Sequence, residues 1–195
     1  MTTDNYRKHT TKNTIQKYFI DGFLKVFIEE IKNINPNTIL DVGCGEGFIL
    51  ERIRIERIGE RREGIDFEQK AIDHGHQIHP KLTLRQGDIY NLPYQDGAFD
   101  AVVCSEVLEH LERPERAMKE LQRVARKYCI ITVPNEPLFR MANFLRGKNL
   151  SRWGNDIEHI QHWSARGILK FVGTYFSVRT MRTPFPWTIV VGEKQ

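Results

Sequence analysis

The stretch "TILDVGCGEGFIL", residues 38–50, narrows the possible folds more than any other part of the chain. A short β-branched run leads straight into three glycines at alternate positions, Gly43, Gly45 and Gly47, and helical character resumes at Phe48. Glycine inside a regular element costs about 0.5–1 kcal/mol relative to alanine, so three in five positions need a reason beyond a plain turn. A strand, a glycine loop and a helix in that order form the first unit of a parallel α/β sheet. In such sheets ligands bind beyond the carboxyl ends of the strands.

The rest of the chain continues the alternation. Over residues 12–33, Ile15, Phe19, Phe23, Phe27 and Ile31 recur every four positions, the face of an amphipathic helix. Short apolar strands are expected at "TILDV", "REGID" (62–66), "LTLRQGD" (82–88), "FDAVVCS" (99–105) and "YCIITVP" (128–134). Helices are expected at "FEQKAIDHGHQI", ending near His79-Pro80, at "PERAMKELQRVAR" with proline in its first turn, and at "SARGILKFV" (164–172). "SVRTMRTPFPWTIVVGE" reads as two strands joined near Pro184-Phe185-Pro186, an antiparallel hairpin at one edge. The predicted fold class is α/β: Rossmann-like, doubly wound, with a mostly parallel seven-stranded sheet and an antiparallel edge hairpin. Length fits one domain over residues 1–195, with residues 1–33 as an N-terminal helical cap and residues 135–163 as a substrate lid.

The glycine loop also discriminates among ligands. A dinucleotide fingerprint, G-x-G-x-x-G/A counted from Gly43, would place its third small residue at Phe48. A triphosphate loop needs Gly-Lys-Ser/Thr, yet the one Gly-Lys pair, Gly147-Lys148, is followed by Asn149. The actual pattern, G-x-G-x-G behind the acid Asp41, suits a ligand that offers an amine and a carboxylate rather than a phosphate.

On these residues "LDVGCGEG" resembles the first motif of class I S-adenosylmethionine-dependent methyltransferases. The wider resemblance, from about Tyr6 to Val191, is to small-molecule enzymes related to those of ubiquinone and menaquinone biosynthesis. It implies S-adenosylmethionine as cofactor, held by Asp41, Gly43, Gly45 and Gly47. Asp66 lies 23 residues beyond Gly43 at the end of the second strand, where an acid accepts hydrogen bonds from ribose hydroxyls. It also suits a helix N-cap. The resemblance gives Asp88 and the Ile89 backbone to the adenine, and Ser105 and Glu106 to the methionine part. Glu106 and Glu109 equally suit the first turn of a helix, where the dipole favours acids. The N-terminal "NYRKHTTKN", with Tyr6 and His9, resembles a segment that folds over the cofactor. His110 fits the family pattern as a contact or as packing.

Between residues 135 and 163, Arg140, Arg146, Lys148 and Arg152 stand among Phe139, Phe144 and Trp153. A basic stretch with aromatics suits nucleic acid or a lid over a small anionic molecule; the family favours the lid. His159 and His162 are the candidate catalytic bases, because imidazole is the side chain best suited to accept a proton near neutrality. "HGHQIH" (74–79) spaces three histidines like ligands, but they fall at a helix end in a polar region and no metal is expected.

The implied activity is methyl transfer to an oxygen or nitrogen, with carbon as the remaining option, of a small molecule such as a secondary, lipid or sugar metabolite. Two rivals stand: a nucleic-acid methyltransferase and a cofactor-binding protein without turnover. The adenine-methylating signature Asn/Asp-Pro-Pro-Tyr/Phe is replaced here by "CSEVLEH", against the first rival. The net charge of +4, from 29 basic and 25 acidic residues, demands neither nucleic acid nor an anionic surface. Cys44, Cys104 and Cys129 are scattered and odd in number, so no disulfide framework is expected. With no signal-peptide pattern and no apolar run long enough to span a membrane, a cytoplasmic protein is expected.

Overall fold

The computed structural model describes residues 6–7, 10–136, 138 and 160–195. Chain order is α1 (Thr14–Ile34), β1 (Thr38–Val42), α2 (Phe48–Ile55), β2 (Arg61–Asp66), α3 (Gln69–Ile78), β3 (Thr83–Gln86), β4 (Phe99–Ser105), α4 (Pro114–Val124), β5 (Ala125–Pro134), α5 (Ala165–Val172), β6 (Ser177–Arg182) and β7 (Trp187–Glu193). A single 3-10 turn, Leu108–His110, follows β4. The seven strands form one sheet in the order β3-β2-β1-β4-β5-β7-β6. β1 to β5 pair in parallel, while β7 runs antiparallel to β5 and to β6, as the edge hairpin required.

Local chemistry explains the element ends. Asn13 caps α1, its Oδ1 accepting the Ile15 and Gln16 amides at 3.0 Å each. Pro114 opens α4 where no donor is needed. Ser164 caps α5 by accepting the Gly167 amide at 3.1 Å.

Both faces of the sheet are covered. On one, Phe23, Phe27 and Ile31 of α1 and Ile53 of α2 pack on Ile39, Val103, Ile130, Ile189 and Val191. On the other, Met118 and Leu121 of α4 and Ile168 and Val172 of α5 pack on Leu40, Val102, Cys104, Ile131 and Val190. A third cluster, Cys44, Leu50, Ile72, Leu82 and Leu84, seats α2 and α3 beside β3. Each fully buried large side chain contributes about 1.5–3 kcal/mol.

Two expectations need correction. Ile15 was assigned to the buried face of the first helix but is 66% exposed. The buried stripe begins at Ile20; periodicity sets the direction of a face, and the partner surface sets how much of it is covered. The fifth strand begins at Ala125, not residue 128, because Ala125 already pairs with Phe99.

Chain order reverses between β1 and β4: β2 and β3 are added on one side, β4 and β5 on the other. The carboxyl ends of β1 and β4 therefore flank a crevice, and both the glycine loop and the Ser105-Glu106 turn lie there.

Candidate functional site

The loop after β1 is built on positive φ. Gly43 stands at 77°, Gly45 at 53° and Gly47 at 84°, in the left-handed region where a side chain is strained. Space is restricted as well. A Cβ on Gly43 would meet Val107 Cγ2 at 2.2 Å, so the loop and the turn after β4 are in contact. The Gly43 and Cys44 amides donate to the Ile65 carbonyl at 2.8 and 3.1 Å, tying the loop to β2.

Asp66, at the end of β2, holds the loop from the side. Its Oδ2 accepts the Gly45 amide at 2.7 Å, and its Oδ1 accepts the Glu68 amide at 2.8 Å. The N-cap of α3 is Glu68, so the N-cap reading of Asp66 gives way to a short side-chain turn ahead of the helix. Asp41 lies beneath the loop, 1% exposed, and its Oδ2 has no hydrogen-bond partner. Burial, reinforced by the charge of Asp66, pushes its carboxyl up to about 7.

Asp88 follows β3, exposed, its Oδ1 accepting the Tyr90 amide at 2.8 Å. Ile89 beside it is half-buried against the α4 face. Arg123 of α4 anchors this loop: its guanidinium donates to the Tyr94 and Leu92 carbonyls at 2.6 and 2.9 Å and pairs with Glu120 at 2.8 Å.

The end of β4 is turned toward β5 and β7. Ser105 Oγ and Thr132 Oγ1 share a hydrogen bond of 2.7 Å, both side chains buried. Glu106, at φ 59°, directs its carboxylate to the Trp187 indole Nε1–H at 2.6 Å and to the Thr132 hydroxyl at 3.3 Å. A non-glycine residue held in that region costs on the order of 1–3 kcal/mol. Neither Glu106 nor Glu109 lies in the first turn of an α-helix. Glu109 sits in the 3-10 turn at 1% exposure. His110 in the same turn is exposed.

Of the two candidate bases, His162 is exposed, with its Nδ1 3.7 Å from Oε1 of the buried Glu136. The Glu109 carbonyl accepts the Ile160 and Gln161 amides at 2.8 and 2.9 Å, which brings the His162 segment against the turn after β4. His159, the basic residues Arg140, Arg146, Lys148 and Arg152, and the aromatics Phe139, Phe144 and Trp153 lie outside the described residues, as does His9. Tyr6 packs at the start of α2, its ring 6.0 Å from Phe48 and 4.9 Å from His74.

Three residues at the site escape a reading by motif. Thr132 and Trp187 reach it only through strand pairing. Phe67, 76% exposed directly after Asp66, offers an aromatic face at the rim; a large apolar residue after a strand-end acid is the one local signal that points to it. Among the described residues, no basic side chain pairs with Asp41 or Asp66. The glycine backbone, bare of side chains, lets a compact ligand approach beside these two acids, and the acids suit one that carries positive charge, so the site fits S-adenosylmethionine.

Residues 40–132 match the family model of a methyltransferase domain. The chain is 30% identical over 103 residues to a probable S-adenosylmethionine-dependent methyltransferase of Mycolicibacterium smegmatis, covering 52% of this chain and 39% of that protein. It is 27% identical over 172 residues to the demethylmenaquinone methyltransferase of Lactobacillus johnsonii, covering 76% and 68%. The chain spans less than half the length of the first curated relatives it matches. Its fold matches that of magnesium protoporphyrin IX methyltransferase from Synechocystis, solved with bound SAH, with a TM-score of 0.69 at 17% identity over 94% of this chain and 88% of that one.

Proposed function

Since the chain carries a class I S-adenosylmethionine-dependent methyltransferase domain, we propose that it methylates an oxygen or nitrogen of a small molecule. The observation that carries this reading is the glycine loop at the β1/β4 crevice: three glycines at positive φ, with Asp66 on one side and a buried, unpartnered Asp41 oxygen beneath. When bound, S-adenosylmethionine would supply a methyl carbon already activated by its sulfonium, with sulfur as the group that keeps the C–S electron pair. The chain's own work is to hold the two partners in line and to keep water out. Gly43, Gly45 and Gly47 let the donor approach the main chain. Asp66 is set to receive ribose hydroxyls, Asp88 and Ile89 to meet the adenine edge, and Asp41 and the Ser105-Glu106 turn to face the methionine part. His162 is the base offered to the acceptor; most of the 135–163 segment expected to act as a lid lies outside the described residues.

Titration calorimetry with S-adenosylmethionine and its demethylated product is the first test, and micromolar binding is expected. A radiolabelled methyl assay against fractionated metabolite pools follows. Label in a small-molecule fraction supports the reading; binding with label only in nucleic acid, or with none in any pool, overturns the acceptor assignment. Absence of binding overturns the site.

A further inference from the structure

Two carboxylates meet under the glycine loop, and they are not equivalent. Asp66 is half-buried and both its oxygens accept backbone amides, from Gly45 and Glu68. Asp41 is sealed by the sheet and the loop, and its Oδ2 meets no donor. Among the described residues, none brings a positive charge to it. Cys44 from the loop and Cys104 from β4 are buried thiols whose ionisation burial opposes, Asp66 from β2 carries a like charge, and Glu46 lies further along the loop. The imidazole of His74 in α3 faces Glu46, its Nδ1 3.9 Å from Oε1. An ionised Asp41 is thus desolvated, lacks a donor on one oxygen and stands beside another anion, three conditions that each favour the protonated acid.

We propose that Asp41 carries a proton before the cofactor binds and releases it to solvent when the cofactor's positive charge arrives, so that cofactor uptake and deprotonation are one coupled step. This rests on the cofactor reading of the site and deepens it. The ammonium and the sulfonium of S-adenosylmethionine supply the cations that the site lacks. The carboxyl then ionises; the O–H bond breaks, its electron pair stays on oxygen, and the proton passes to buffer. Because a neutral Asp41 binds the cation poorly, affinity depends on pH. It is weak where the acid is protonated, rises as pH climbs through about 7, and is flat once Asp41 is ionised in the ligand-free protein. If the bound-state value falls by about two units, affinity grows about tenfold between pH 6 and 8.

Calorimetry of S-adenosylmethionine binding, repeated in buffers of different ionisation enthalpy from pH 6 to 8.5, counts the protons exchanged. Ionisation of the ligand's own amine contributes equally to parent and variant, so the informative quantity is parent minus Asp41→Asn. The expected difference is release of most of one proton near pH 6, about half near pH 7 and almost none at pH 8.5. The variant should also lose the rise in affinity with pH. A second variant, Asp66→Asn, removes the neighbouring charge, so its release curve should move to lower pH. If Asp41→Asn does not fold, that displacement carries the test alone. Equal proton counts in parent and Asp41→Asn, or an unmoved curve in Asp66→Asn, overturn the proton coupling while leaving the binding site standing. Absence of binding in the parent overturns the site itself.

Discussion

The indole Nε1–H of Trp187 donates to Glu106 Oε2 at 2.6 Å, joining residues 81 positions apart in the chain. Trp187 opens β7 opposite Pro134 of β5, and its ring lies 5.1 Å from Phe23 of α1. The strained residue at the end of β4 is thereby tied to the edge hairpin and, through Phe23, to the N-terminal helix. A hydrogen bond to a charged group contributes about 1.5–3 kcal/mol. Replacing Trp187 with Phe keeps most of the ring and removes the donor, so urea unfolding should show a loss in that range. An unchanged midpoint would mean that the bond contributes nothing net.

Substituting valine for Gly45 places a β-branched side chain at φ 53° beside the Asp66 hydrogen bond. Calorimetry should detect no binding of S-adenosylmethionine or its demethylated product. Retained micromolar affinity would move the cofactor away from this loop.

Asp41 sets a cost on the ligand-free fold. Its carboxyl titrates at about 7 when folded, against an ordinary value of 3.8. Between those values the folded state holds the proton more tightly than the unfolded chain does. Folding stability therefore falls as pH rises from about 4 to 7, by on the order of a few kcal/mol, and levels off above. Asp41→Asn removes the titration. At pH 8 the ligand-free variant should melt higher than the parent, and near pH 4 the gap should close. A variant that melts lower than the parent at pH 8 would contradict the placement of Asp41 as a poorly solvated acid.

His162→Ala tests the base. With an acceptor in hand, turnover should drop about 10²–10⁴-fold while cofactor affinity stays within twofold of the parent. Loss of both together would assign His162 to packing around Glu136 instead. Unchanged turnover would leave the acceptor to arrive already deprotonated.

Much of this architecture is carried by local pattern. Four-residue apolar spacing marks α1, β-branched runs mark β1 and β4, and the alternate glycines mark the loop, since each reflects constraints acting within a few residues of chain. Asp66 was legible for the same reason: it ends a strand directly after "EGI". The inner arrangement of the site depends on which strand pairs with which. Antiparallel pairing of β5 with β7 brings Trp187 to Glu106, and parallel register of β4 with β5 sets Thr132 beside Ser105. No local pattern encodes those meetings, because register is settled by the summed burial of both sheet faces. The same holds for Ile15, whose helix face runs on past the core, and for Asp41. Its motif marks it as an acid before a glycine loop; the closure of β1 between β2 and β4 is what strips it of water and sets Asp66 beside it.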